Sequence, residues 1–534
     1  MLLGCAIIGR SSYFGQDYFV IQTIGLYLLS ILLVLYWSLK VLRPYEVMFI
    51  VLAGCGFYFL FRNFYWPLPA LNLFLCITIL FSLISGNPKD LQIWKKSIIC
   101  LSILQALISI PTLIPLFKNY FPVFNNEPVG TVGNSDFLAT LFVCSLFYLS
   151  DFQLSKKVKF SLYGILCLGL ISTMSKGTIL LFIGIVAFKK WPKYVGLLAL
   201  PAIVIFAFLF KQSLLGRLQL WLSALNIWKD HLWLGSGTGK FANSYFNVNK
   251  ELMGLEWYKN LFGPWSSQVS DAHNLPLQWV SEWGMVGLLI AILFYIFIAR
   301  SFKKSKDASR EVIFLSAIKS LYTVLIPSLQ ALVMLTFALS DANKENSYFK
   351  KSKIAPIICL FFLMSCMGFI LNFGTGQYYL KEGLKLSRAK YYEASIEKLS
   401  IAHIYLKQDY DVLLSLAYSY SKIGNCQMAV DNVYAAIEIQ QDMDAFKRGG
   451  HILFECKKYE MALRLFSDVH LVFPEHRTTT MKMAWIYYFL RDFTTANKLA
   501  NEVIDIRPRR KSFSDEKNLK EAQELISLYE MARF

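Results

Sequence analysis

Charge is what this sequence has little of. Asp, Glu, Lys and Arg make up 17% of its 534 residues, against 55% hydrophobic and 16% aromatic. That balance excludes an ordinary soluble globular protein and points to a membrane class. Histidine is scarcer still: of six, four (His403, His451, His470, His476) fall in the C-terminal quarter, leaving His231 and His273 for the rest. None of the ten cysteines forms a Cys-x-x-Cys pair, which excludes the common zinc and redox motifs. Eight of them (Cys5, Cys55, Cys76, Cys100, Cys144, Cys167, Cys359, Cys366) lie in or beside apolar segments and read as small core residues. Cys426 and Cys456 stand apart in a polar tail without a metal or redox motif, and of two readings, free thiols and a disulfide between them, free thiols are expected. Carboxylates in the loops expected on the outer side (Glu127, Asp136, Asp230, Glu251, Glu256, Asp271) show neither acid–base pairing nor cage spacing, so no metal and no cofactor is expected. Met1 to Gly9 lacks a basic leader and reads as the remnant of a first span rather than a signal peptide.

The net charge of +18 is unevenly spread. Residues 1–372 hold 31 Lys/Arg against 15 Asp/Glu, and residues 373–534 hold 23 against 21. The excess therefore sits in the hydrophobic part, in short loops, which is a topological signature and not a nucleic-acid-binding face. Apolar runs occur at 18–39, 45–61, 67–85, 97–117, 136–150, 160–175, 177–188, 194–210, 276–299, 312–326, 327–340 and 354–371. Their lengths predict about twelve membrane segments, some short, with Pro327 breaking one pair. Alternate loops carry the lysines and arginines and should be cytoplasmic. The long polar stretch 211–275, with Lys176 and everything after Asn372, then falls on the outer, periplasmic side.

The tail repeats itself. Ala429, Ala462 and Ala496 are 33 and 34 residues apart, and Pro474 and Pro508 are 34 apart. Leu416-Ala417, Gly449-Gly450 and Met483-Ala484 mark the same register. This pattern resembles the tetratricopeptide repeat over 375–510, with a weaker first copy around Ala394 and a capping helix over 511–534. The expected fold class is all-α: a polytopic helix bundle over 1–372, then an α-solenoid.

Chemistry is expected in the outer stretch. His273 precedes Pro276, where an apolar run begins, so its imidazole should sit at headgroup depth and take a proton from a sugar or protein hydroxyl. The plainer alternative is an interfacial histidine bonded to a loop carbonyl. Arg217 stands one helical turn before Trp221, and its guanidinium suits a pyrophosphate, or else snorkels as a lipid anchor. Lys176, between two short apolar runs, is costly unless it faces a wet cavity or a partner. Gly235, Gly237 and Gly239 lack a Walker motif's Lys-Ser/Thr and read as a sharp turn.

Four motifs together resemble the O-antigen ligase and polymerase superfamily of membrane glycosyltransferases: Gly133-Asn134-Ser-Asp136; Ser175-Lys176-Gly177; Arg217-x-x-x-Trp221 running to Gly239-x-Phe241; and His273-Asn274-x-x-Leu277-Gln278 leading to Glu282-x-Gly284-x-x-Gly287. The resemblance covers about 120–340. It implies a bacterial inner-membrane enzyme that moves a glycan from undecaprenyl pyrophosphate to an acceptor on the periplasmic face, without metal or nucleotide sugar. It implies that Arg217 binds the pyrophosphate and His273 activates the acceptor hydroxyl. Lys176, Trp221, Asn274, Asn134 and Glu282 would line the substrate site. The family usually has Arg where Lys176 stands, and often Asn where Asp136 stands. The acceptor class (lipid A core, protein Ser/Thr or another glycan) stays open, and the repeats suggest a protein partner. A non-enzymatic membrane anchor for a repeat scaffold is the competing reading. A transporter, supported only by the deep Glu282 and Lys319, is the third.

Overall fold

The computed structural model describes residues 88–113, 123–124, 127–128, 135–191, 211–263, 271–304, 308–322, 354–506 and 513–533. The predicted spans at 18–39, 45–61, 67–85, 194–210 and 327–340 lie outside the described residues, as do Asn134 and Pro327. In chain order the helices are α1 (Pro88–Ser109), α2 (Ser135–Leu149), α3 (Lys156–Ser172), α4 (Lys176–Lys190), α5 (Lys211–Asp230), α6 (Phe241–Leu252), α7 (Glu256–Phe262), α8 (Leu275–Lys304) and α9 (Ser309–Tyr322). They continue with α10 (Ile354–Arg388), α11 (Tyr392–Tyr405), α12 (Tyr410–Lys422), α13 (Cys426–Ile439), α14 (Met443–Glu455), α15 (Tyr459–Val472), α16 (Arg477–Phe489), α17 (Phe493–Asp505) and α18 (Phe513–Arg533). A two-residue antiparallel pairing, Val123–Phe124 with Glu127–Pro128, is the extended structure among the described residues.

The chain divides into two compact units. The first comprises Met1–Leu209, Asn274–Pro276 and Leu288–Gly374. Here α1, α2 and α3 pack on one another, with α4 and α9 against α2. Hydroxyls line their seams: Ser102 Oγ and Ser145 Oγ are 2.6 Å apart, and Ser172 Oγ donates to Ser109 Oγ at 3.1 Å. A Cβ on Gly169 would press into Ala106 and Phe142, so small size there permits the approach. Outward positions are apolar, with Leu104, Phe160, Ile171 and Ile183 all exposed. Large apolar side chains therefore lie on both sides of these helices, Leu138, Phe142 and Leu170 inside and Leu104, Phe160 and Ile171 outside, as in helices that meet an apolar medium.

The expected count of about twelve spans is not reproduced among the described residues. One stretch there, Leu275–Arg300 within α8, is long and apolar enough to cross a membrane, with mean hydropathy 2.1. α2, α3, α4 and α9 have 15, 17, 15 and 14 residues. Polar breaks end them early: Ser150 bonds back to Phe147 O, and Thr173 back to Leu170 O.

The second unit comprises Phe210–His273, Leu277–Gly287 and Thr375–Phe534. The pairs α12–α13, α14–α15 and α16–α17 are helical hairpins starting at Tyr410, Met443 and Arg477, the 33- and 34-residue steps of a tetratricopeptide-type array. Ala429, Ala462 and Ala496 are fully buried where the paired helices meet. Asn425, Asp442, His476 and Asp492 accept from N–H groups in the first turns that follow, satisfying otherwise orphaned donors. α18 closes the array with Ala522 and Leu525 buried, as a capping helix should.

The expectation of free thiols is overturned: Cys426 and Cys456 form a disulfide, with Cα atoms 5.5 Å apart across 30 residues of sequence. No sequence motif signals it, because the pairing arises from stacking. Cys426 opens α13 and Cys456 ends α14, each beside the turn within its own hairpin, and stacking of neighbouring hairpins brings those turns together.

Candidate functional site

α5 carries Arg217 and, one turn on, Trp221. Its buried side, Leu220, Ala224 and Ile227, joins a hydrophobic cluster that also contains Ala272, Phe241, Tyr245, Phe246 and the cores of the repeats. Arg217 is half-buried at the edge of that contact. Trp221 packs against the same cluster, and its indole N–H is buried without a hydrogen-bond partner among the described residues. Because Ala272 is one residue from His273, the helix of Arg217 and the turn of His273 are brought onto one core.

His273 adopts a left-handed backbone, φ 47°, a conformation that is uncommon outside glycine and that histidine visits more readily than most residues. Asp271 holds it there. One carboxylate oxygen, Oδ1, accepts the His273 backbone N–H at 2.9 Å and lies 3.1 Å from the ring Nδ1. Donation from Nδ1–H to a carboxylate fixes the tautomer that leaves Nε2 as a proton acceptor. The imidazole is 46% exposed, so a hydroxyl can reach it. Asp271 is a candidate site residue that spacing alone missed, and Asp-x-His is the signal that was available.

The glycine segment forms the sharp turn expected of it, and its purpose is to fit against α8. Gly284 breaks α8 with φ 59° and ψ −136°. A Cβ there would run into the Leu232 and Trp233 backbone, and one on Gly235 into the Glu282 backbone. Ser236 and Gly237 donate to Ser281 O and Glu282 O at 2.9 and 3.0 Å. Glu282 is buried and accepts from Gln278 Nε2 at 2.6 Å and from the backbone of Gly239 and Phe241. Gln278 Oε1 in turn accepts Ala272 N–H at 2.7 Å. Glu282 thus ties the glycine turn to the His273 turn.

α6 is held between α5 and the repeats. Toward α5, Asn249 Oδ1 accepts from Tyr258 Oη at 2.7 Å and from Gln219 Nε2 at 3.4 Å. Burial pushes the Tyr258 phenol up. Toward the repeats, Phe246 sits between Phe446 and Phe473, centroids 5.0 and 6.2 Å away. Lys240 Nζ and Asn243 Nδ2 donate to Ile439 O, the last carbonyl of α13, at 3.3 and 3.1 Å. A cation at a helix C-terminus meets its partial negative charge. Lys250 pairs with Asp468 at 2.6 Å.

Lys176 and Asn274 belong to the first unit. Lys176 opens α4 and is exposed, after a turn in which Met174 has φ 52°. Ser175 leaves its helix uncapped and donates instead to Asp136 Oδ1 at 2.6 Å, as does Thr178 at 2.5 Å. The other oxygen of Asp136 pairs with Lys319, fully buried, at 2.5 Å. The deep Lys319 therefore has a partner and helps to anchor the start of α4. Asn274 Nδ2 donates to Leu321 O at 2.7 Å, a bond that fastens the end of α9. Among the described residues no group of three or more His, Cys, Asp or Glu side chains could hold a metal ion.

No protein-family model matches this sequence, and no curated protein matches it. Among solved structures, MamA 41-end from Desulfovibrio magneticus RS-1 is similar at 16% identity, covering 29% of this chain and 94% of that one, with a TM-score of 0.24. The MamA RS-1 ArsTM double mutant matches at 15% identity over 28% of this chain and 94% of that one, TM-score 0.24. The APC/C hetero-tetramer Cut9-Hcn1 matches at 11% identity over 86% of this chain and 76% of that one, TM-score 0.25. Likenesses of this degree carry no argument about function.

Proposed function

We propose that the chain is a membrane glycosyltransferase of O-antigen ligase type, moving a glycan from undecaprenyl pyrophosphate to an acceptor hydroxyl on the periplasmic face. The observation that carries this reading is the Asp271–His273 pair, a base with a fixed tautomer, on the same core as the helix of Arg217. In the proposed reaction the acceptor oxygen attacks the sugar C1 and gives its proton to His273 Nε2. The bond from C1 to the phosphate oxygen breaks, and Arg217 stabilises the charge that leaves with the pyrophosphate. Lys176 is the second cation, by the resemblance of its motif.

The apolar outward face of the first unit supports a bilayer setting. The disulfide supports an oxidising, extracytoplasmic compartment for the tail, where such bonds persist. Purified chain with a purified undecaprenyl-pyrophosphate donor tests the activity directly. His273→Ala should lower turnover by roughly 10²–10⁴-fold, and Arg217→Ala should lower it too. Undiminished transfer in either variant overturns the proposal.

The scaffold reading draws on the repeat array. It requires both variants to act normally in cells while removal of the repeats does not. Because the repeats share a core with α5 and α6, repeat removal alone cannot separate the two readings.

A further inference from the structure

α5 is apolar on both sides. Opposite its buried face, Leu214, Leu218, Leu222 and Leu225 follow helical spacing and are 36–42% exposed. A second apolar stripe, on a helix whose other face is already buried, calls for an apolar partner of its own. The chain then turns through Leu232, Trp233 and Leu234, 49%, 76% and 78% exposed. Such a tip is an odd surface for water, yet its backbone suits an apolar medium. His231 O accepts Gly235 N–H at 3.0 Å, Leu232 O accepts Met285 N–H at 2.8 Å and Trp228 Nε1 at 3.3 Å, and Trp233 O shares Met285 N–H at 3.2 Å. Three successive carbonyls of the tip are thus satisfied within the protein, as a lipid-facing loop demands.

We infer that Leu232–Leu234 and the outward leucines of α5 form a membrane-interface surface whose partner is the outer leaflet of a lipid bilayer. Continuity decides the occupant. The tip is bonded to α8 at its Gly284 break, within the stretch Leu275–Arg300 that is long enough to span a membrane. Beside it Met285 and Val286 of α8 are also exposed. The inference rests on the reading that α8 crosses a bilayer. Charge agrees: α5 carries Lys211, Arg217 and Lys229 against Asp230, a set that complements anionic headgroups. Trp233 has the amphipathic ring favoured at that depth. Arg217, flanking the leucine stripe, then lies level with lipid phosphates.

The test uses the full chain in nanodiscs of phosphatidylethanolamine and phosphatidylglycerol, keeping Cys426 and Cys456 and replacing the other cysteines. A spin label at Leu234→Cys is compared with one at Met531→Cys, an exposed site on α18. Collision with oxygen and with a water-soluble nickel chelate is read for each. The expected result is a label at 234 with several-fold higher oxygen and several-fold lower nickel accessibility than at 531. Equal nickel accessibility at the two sites overturns the surface. Protection at 234 from both reagents overturns it as well, by pointing to a second copy as the cover. Resistance of the chain to alkaline carbonate extraction is measured first: its absence overturns the spanning reading itself, whereas a resistant chain with a water-exposed 234 overturns only this surface.

Discussion

Asp271 does for His273 what neither residue does alone. One of its carboxylate oxygens accepts the backbone N–H that holds the left-handed turn and also the Nδ1–H hydrogen bond, so the catalytic role proposed for Nε2 depends on it. Asp271→Asn keeps the size and the backbone acceptor but offers a neutral partner to the ring. Turnover with the undecaprenyl-pyrophosphate donor should fall by about 10²–10⁴-fold, with the donor KM little changed and the fold intact by circular dichroism. A drop in KM alone, or no change, would contradict the orienting role. At this scale the sequence was informative but incomplete. The glycine turn was legible from residue type and spacing, and the helix of Arg217 and the turn of His273 do meet on one core. Glu282 and Asn274 were read as substrate contacts, but their side chains engage Gln278 and the glycine-turn backbone, and Leu321 O. Gln278 is one turn from Glu282, but the glycine turn and Leu321 are more than 40 residues distant, and such partners leave no local trace.

Among the elements, the repeat helices carry an acid-sensitive feature. His451 and His476 are half-buried, and their pKa values are lowered to about 4 from an ordinary 6.5. Burial is the main cause. Lys482, Lys447, His476 and Lys517 add to it around His451, as does Lys447 around His476, where Asp515 opposes. Below pH 6.5 the unfolded chain takes up protons that the folded chain refuses. Stability is therefore fully present above that pH and is lost as pH falls toward 4, on the order of 3 kcal/mol per histidine. Asp409 works the other way: burial, with Asp411 beside it, lifts its carboxyl to about 6, so it costs stability as pH rises through 4 to 6. Two histidines against one carboxyl leave a net loss in acid. His476 adds a local reason, because its Nδ1 caps α16 by accepting Thr479 N–H at 3.3 Å and cannot do so once protonated. Thermal unfolding should drop in midpoint between pH 7 and pH 4.5. His476→Asn, which caps without titrating, should remove about half of that drop. An unchanged pH dependence in this variant would refute the assignment.

At the scale of the whole molecule, Phe210–His273 and the repeats fold together as one unit. α6 is the link, and Phe246 is its most deeply seated side chain on the repeat side. Phe246→Ala should cost about 3–5 kcal/mol and strip amide-exchange protection from 241–252 while α14 and α15 keep theirs. Retained protection would mean that α6 is held by α5 alone. Composition and periodicity by themselves determined the all-helical class, the hydrophobic first part and the 33- to 34-residue repeat, because each is a property of local spacing. Tertiary structure alone decided three further features: the Cys426–Cys456 bond, the Asp136–Lys319 pair and the seating of α6 on the repeats. Each joins positions 30 or more residues apart, and only the folded chain brings such positions within bonding distance.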